Sequence, residues 1–246
     1  MEKIKAEIRK MREMKPGEAL DYFWTYYKLH LLFAAILIFF LVGVLQAAFG
    51  KKQETVFAAL LVDTGVSQEA ADSAAADFAA FLELDPETQR VTLDTSLTLA
   101  GGNVVSIQRL MVSVAAGELD AVLSNADATD YLLKSGDLAD LREILPEETL
   151  SRCAGKLFYT DPEALSAWVE ANRAGEAEDA VLLSKDPSGM ANPAPVGIDV
   201  TEACAAAFDR PADYGEVIFT VAVTTGRQEE AAKFLDYLER PGGSGA

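Results

Sequence analysis

The chain is 246 residues long, half of them apolar, with a formal net charge of −18 at pH 7. That balance excludes disorder, because enough apolar surface is available for a sizeable core, and it argues against nucleic acid or any anionic polymer as a ligand. Two cysteines and one histidine are too few for a disulfide scaffold or a histidine-built metal centre.

Residues 1–30 carry seven basic side chains (Lys3, Lys5, Arg9, Lys10, Arg12, Lys15 and Lys28) and five acidic ones. Ile4, Ile8, Met11 and Met14 share one stripe, which predicts a short basic amphipathic helix over residues 2–14, broken by Pro16 and Gly17. Such a segment either lies on an anionic leaflet or serves only as a positive tail that sets topology. Tyr22, Phe23, Trp24, Tyr26 and Tyr27, with Lys28 and His30, form an aromatic girdle of the kind found at headgroup level. Residues 31–49 then run without a charge, Gln46 being the one polar side chain. At 1.5 Å per residue this is about 28 Å, close to a hydrocarbon core, and a transmembrane helix is expected. Within it Gly43 and Ala47 offer a small-residue face on which another helix can pack.

Basic residues concentrate before the span, so the N-terminus is expected in the cytoplasm and the C-terminal bulk outside, as a single-pass cell-membrane protein. The basic region and apolar run are both long for a signal peptide, and Ala48-Phe49-Gly50 is a weak cleavage site, so the anchor is expected to stay. The tail of residues 1–30 sums to +2, leaving −20 for residues 31–246. A linker at 50–55, an extracellular domain at 56–240 and a flexible tail at 241–246 complete the predicted organisation.

Within the domain the pattern alternates. Residues 56–62 form a continuous apolar run that suits a strand covered on both faces, ending at Asp63-Thr64-Gly65. Ser67 is placed to cap a helix with Phe78, Phe81 and Leu82 as its buried stripe, stopped by Asp85-Pro86. Residues 91–97 alternate like a half-exposed strand. Val104, Ile107, Leu110, Met111 and Val114 make the next helical face, closed by Gly117. Residues 119–123 are a third strand, followed by Ser124-Asn125 and a helix through Lys134. Strand-helix-strand-helix-strand predicts an α/β lobe with a mostly parallel sheet. Beyond it, Asp161-Pro162-Glu163 starts a helix through Ala171, residues 180–183 are a candidate strand, and residues 185–195 a proline-rich loop. Strands follow at 196–200 and 217–223, with a closing amphipathic helix over 227–238 that buries Ala231, Phe234, Leu235 and Leu238. Cys153 and Cys204 both fall outside, where an oxidising compartment would allow them to pair, but they lack any Cys-x-x-Cys spacing and the favoured reading is lone buried thiols.

Two stretches carry a family resemblance. Gly117-Glu118-Leu119-Asp120-Ala121-Val122-Leu123-Ser124, continued by Leu133-Lys134-Ser135-Gly136-Asp137-Leu138, resembles a run found in extracellular solute-binding proteins of the type 2 periplasmic-binding fold. Residues 218–225 with Glu229-Glu230-Ala231-Ala232-Lys233-Phe234-Leu235 are similar to a late strand and helix of the same proteins. Lys15-Pro16-Gly17-Glu18 and Tyr26-Tyr27-Lys28-Leu29-His30 resemble single-pass membrane proteins of Gram-positive, Clostridia-type bacteria. The first resemblance implies a ligand-binding or sensing lobe; a full protein of that type has two lobes of comparable size with the ligand held in the cleft between them. Only some fifty residues, 141–195, are available for a second lobe, so that lobe is expected to be reduced or absent.

In open α/β sheets ligands gather at strand carboxyl ends and helix N-termini. That rule nominates Asp63, Thr64, Thr95, Ser96, Ser124, Asn125, Thr224 and Thr225 as groups for a small polar solute, although the same residue types are ordinary caps and turn formers. No catalytic residue, metal site or cofactor is expected: the single His30 lies beside the membrane, and pairs such as Asp137 and Asp140 are inevitable among thirty-four external acids. Trp168 and Phe158-Tyr159 are candidates for lining a cleft, or else core. The expected partners are the lipid bilayer and either a small polar solute or an envelope or membrane protein. Function therefore divides between a solute-binding or transporter-accessory module and a protein-interaction module that has lost its cleft.

Overall fold

The computed structural model describes residues 24, 28, 32, 33, 35–43, 53–178, 180–211 and 214–240. It divides into two units, residues 1–52 and residues 53–246. In the first, residues 32, 33 and 35–43 are helical, with exposed Leu32, Phe33 and Phe39. Among the described residues no helix is long and apolar enough to cross a membrane. The rest of the predicted span 31–49, the basic segment 2–14, His30, residues 50–52 of the linker and the tail 241–246 lie outside the described residues.

The second unit opens with β1 (Glu54–Val62), α1 (Gln68–Phe81), β2 (Gln89–Asp94), α2 (Val104–Ala115), β3 (Ala121–Ser124) and α3 (Ala126–Ser135). Two short helices, α4 (Leu141–Ile144) and α5 (Glu147–Arg152), lead to β4 (Leu157–Thr160), α6 (Pro162–Ala174), β5 (Ala194–Asp199), α7 (Thr201–Phe208), β6 (Ile218–Val221) and α8 (Gln228–Leu238). All six strands join one sheet in the order β2-β1-β3-β6-β5-β4.

Local chemistry sets most boundaries. Ser67, Asn103, Asn125 and Asp161 each turn a side-chain oxygen onto an N–H of the first turn of α1, α2, α3 and α6. Gly136 and Gly175, in left-handed conformation, end α3 and α6. Along β1 the side chains alternate: Phe57, Ala59 and Leu61 join one core, Leu60 and Val62 another. The first core takes the inner faces of α1, α7 and α8, and the second those of α2 and α3. Hence the sheet is covered on both sides. An aromatic group anchors the larger core, with Phe234 4.8 Å from Phe57 and 5.0 Å from Phe78 between ring centres.

Several expectations change here. β1 pairs in parallel with β2 and β3, but β6 runs antiparallel to both β3 and β5, and β4 antiparallel to β5. The sheet is therefore mixed, parallel only over its first three strands. Residues 157–160, for which no strand was expected, form β4; of Phe158-Tyr159, candidates for a cleft lining or for core, Phe158 is buried. Residues 180–183 are not a strand: a single bridge joins Ser184 to Tyr159, and Val181 is 83% exposed. On α2, Leu110 and Val114 are buried, but Val104 and Met111 of the predicted stripe face out with Val105 and Val112. Phe81 likewise lies 40% exposed at the end of α1. Both cysteines are buried and free.

Candidate functional site

Because β1, β2 and β3 are parallel, their carboxyl ends share one end of the sheet. Six of the nominated residues lie there, and each is engaged by the protein itself. The Asp63 carboxylate, on a residue with φ of 53°, accepts from Thr98 Oγ1 at 2.5 Å, Leu99 N–H at 2.9 Å and Ala100 N–H at 3.0 Å, tying down the loop after β2. Thr64 is buried, and its hydroxyl takes the N–H of Val66. Thr95 gives both its N–H and its hydroxyl to Gln68 Oε1. Ser96 gives its N–H to Asp94 Oδ1 and accepts from Arg109 Nη1. Burial pushes the Asp94 carboxyl up, but those Ser96 contacts and the Arg109 guanidinium outweigh it and hold the group below its ordinary value. Ser124 shares a 2.8 Å bond with Thr129, both fully buried, and Asn125 caps α3. The hydroxyls and amides expected to meet a solute thus serve as caps and turn locks.

Thr224 and Thr225 lie at the other end of the sheet. β6 runs against β3, so the carboxyl end of β6 falls beside the amino end of β3. There Thr224 Oγ1 donates to Val114 O, and Thr225 Oγ1 donates to Asp120 Oδ1 at 2.6 Å. Asp120, absent from the sequence-based candidates, is fully buried and also accepts from Ala58 N–H at 2.8 Å and Arg227 Nε at 2.9 Å. Arg227 reaches on to the carbonyls of Thr55 and Glu118. This is a latch joining β1, β3 and the start of α8. A carboxylate inside an otherwise apolar strand entry was the signal available for it.

A second unforeseen group is Arg210, 5% exposed. It donates through Nε to Thr64 O and through Nη2 to Gly215 O, bracing the carboxyl end of β1 against the loop before β6. Close by, burial pushes the Cys204 thiol up to about 12 despite the Arg210 charge.

Of the remaining candidates, Asp140 caps α4 and pairs with Arg142, while burial raises the Asp137 carboxyl. Trp168 donates to Glu178 O at 3.0 Å, and Lys134 lies 5.1 Å above its ring. Among the described residues no three His, Cys, Asp or Glu side chains converge as metal ligands.

Concave surface lies elsewhere. A groove of about 440 Å³ at Asp199, Thr201 and Glu216 adjoins the Lys185 ion pairs of 2.7 and 2.6 Å. Another, about 620 Å³, is crossed by Arg152 and Lys156 bridging to Asp236 and Glu239. The most voluminous of the three, about 670 Å³, runs between α1 and the outer edge of β2. Its walls are Ala75, Ala76, Ala79 and Ala80 on the helix and residues 89–94 on the strand. Small side chains on α1 leave this space open where larger ones would fill it.

No protein-family model matches the chain, and no curated protein sequence matches it.

Proposed function

We propose that residues 53–240 are a non-catalytic protein-interaction module, held at the outer face of a cell membrane by the apolar segment 31–49. One observation carries the docking role: the polar groups at the strand carboxyl ends are bonded within the protein, while the most voluminous of the three grooves follows the open edge of β2. The strand-helix-strand-helix-strand run from β1 to β3 supports kinship with one lobe of a type 2 solute-binding protein. Among the described residues a single sheet is present with no facing lobe to close over a solute, which favours docking over capture.

A thermal-shift screen of the full chain in mild detergent separates the readings. Sugars, amino acids and divalent metals should leave Tm unchanged. A solute binding at the strand ends would stabilise by about 2.7 kcal/mol at a hundredfold excess over its Kd. Such a shift, lost in Thr95→Val or Asn125→Ala variants, would overturn docking in favour of solute binding. For the anchor, a maleimide that cannot cross membranes should label a cysteine introduced at Glu176 in intact cells; labelling only after lysis would reverse the orientation.

A further inference from the structure

We propose that the groove between α1 and β2 receives an extended cationic peptide segment, which adds to the sheet as a seventh strand; this rests on the docking reading and names its partner. β2 ends the sheet. Glu54 donates its N–H to Thr88 O, and Ala58 turns its N–H away to Asp120. With the β1–β2 register, this directs the backbone groups of Arg90, Thr92 and Asp94 toward β1. Those of Val91, Leu93 and Thr95 therefore point outward along the edge.

Gln68 marks what that edge accepts. Its Nε2 donates to Leu93 O at 2.9 Å and its Oε1 accepts from Thr95 N–H at 3.0 Å. A carbonyl and an N–H two residues apart are the pair that one residue of a neighbouring strand bonds, so the side-chain amide stands in for a peptide group. Toward the start of β2, the N–H and C=O of Val91 and the N–H of Leu93 carry the same outward pattern. Beside them the alanine wall of α1, with Leu84 and Pro86, provides apolar depth for every second side chain of an added strand.

Charge selects the occupant. Residues 53–246 hold twelve basic and thirty-four acidic side chains. Nine of those bases already bridge to carboxylates. In the groove itself Asp94 is already paired with Arg109, leaving Asp72 beside Arg90, so the attraction for a cation comes from the net charge of −22 over residues 53–246. A segment alternating apolar and basic residues meets both the wall and the field. A second copy of this chain would bring the net charge of −22 of its own residues 53–246 to the same edge.

The test uses the full chain in non-ionic detergent and a fluorescent (Lys-Val)3 peptide as probe. Polarisation should show saturable binding, at least about tenfold weaker for (Glu-Val)3 and for a (Lys-Val)3 peptide N-methylated on alternate residues. Hydrogen exchange should slow on the peptide at residues 89–95. Ala76→Trp, an exposed position that fills the groove, should weaken binding by about tenfold or more. Gln68→Ala should act in the opposite direction, strengthening it by lengthening the free edge; this sign change survives if the tryptophan variant misfolds. Lys-Val binding without protection of residues 89–95, or equal binding of the N-methylated probe, overturns strand addition while leaving docking intact. A dimer with residues 89–95 already protected overturns the peptide in favour of a second copy. Failure of every peptide together with a solute shift lost on Thr95→Val overturns docking itself.

Discussion

Replacing Arg227 by methionine probes the latch that holds α8 to the amino ends of β1 and β3. Asp120 is 0% exposed and takes three donors, from Ala58, Thr225 and Arg227. Methionine keeps much of the aliphatic stem, so the loss is chiefly that of the guanidinium. Breaking a fully enclosed ion pair costs about 3–5 kcal/mol. Here the Arg227 side chain is 27% exposed and Asp120 keeps two donors. The expected loss falls to about 2–3 kcal/mol. Asp120→Asn should cost more, about 3–4 kcal/mol, because its amide N–H₂ faces donors and the guanidinium loses its counter-charge. Combined, the two changes should cost at least about 1.5 kcal/mol less than their sum. Urea unfolding of the full chain in detergent measures this, with Trp168 as reporter in a Trp24→Phe background. An m-value on the order of 2 kcal/mol/M places the Arg227→Met midpoint about 1–1.5 M below the parent. A midpoint within about 0.2 M of the parent, or strictly additive single changes, would refute the latch.

Two further outcomes follow from the same structure. Both cysteines are buried, and burial pushes both thiols up, Cys204 to about 12, so neither should react with Ellman's reagent at pH 8 until denaturant is added; rapid reaction of the native chain would show that the thiols are not enclosed. Burial pushes the Asp199 carboxyl up, but hydrogen bonds from Lys185 and Thr201 outweigh it and leave the folded group below its ordinary value. A depressed folded value contributes stability above the unfolded value of about 4 and loses it as pH falls through the folded one. The Tm gap between the parent and Lys185→Met should therefore be widest above about pH 5 and narrow below about pH 3. A gap independent of pH would refute the assignment.

Apart from β4, the sheet strands and long helices were legible because their signals are local. Ser67, Asn125 and Asp161 announce helix starts through a side-chain oxygen two or three residues ahead of the N–H it meets. The run Val56-Phe57-Ala58-Ala59-Leu60-Leu61-Val62 announces a strand enclosed on two faces. β4 was illegible because Leu157-Phe158-Tyr159-Thr160 is short and borrows its pairing from β5, nearly forty residues later. The α2 stripe misled because helical periodicity shows that Val104 and Met111 are apolar, not that anything covers them.

The positions of most elements, their caps, the charge balance and the apolar run at 31–49 were thus determined by the sequence alone, since each depends on neighbours within a few residues or on composition. The direction of β6 was decided only in three dimensions, and with it the fate of the nominated residues. An apolar strand reads the same in either direction, so nothing local places Thr225 beside Asp120, 105 residues earlier. The open edge of β2 is a property of the same kind. It exists because β3 and the returning strands all add on the far side of β1, an outcome of long-range pairing that no window of residues contains.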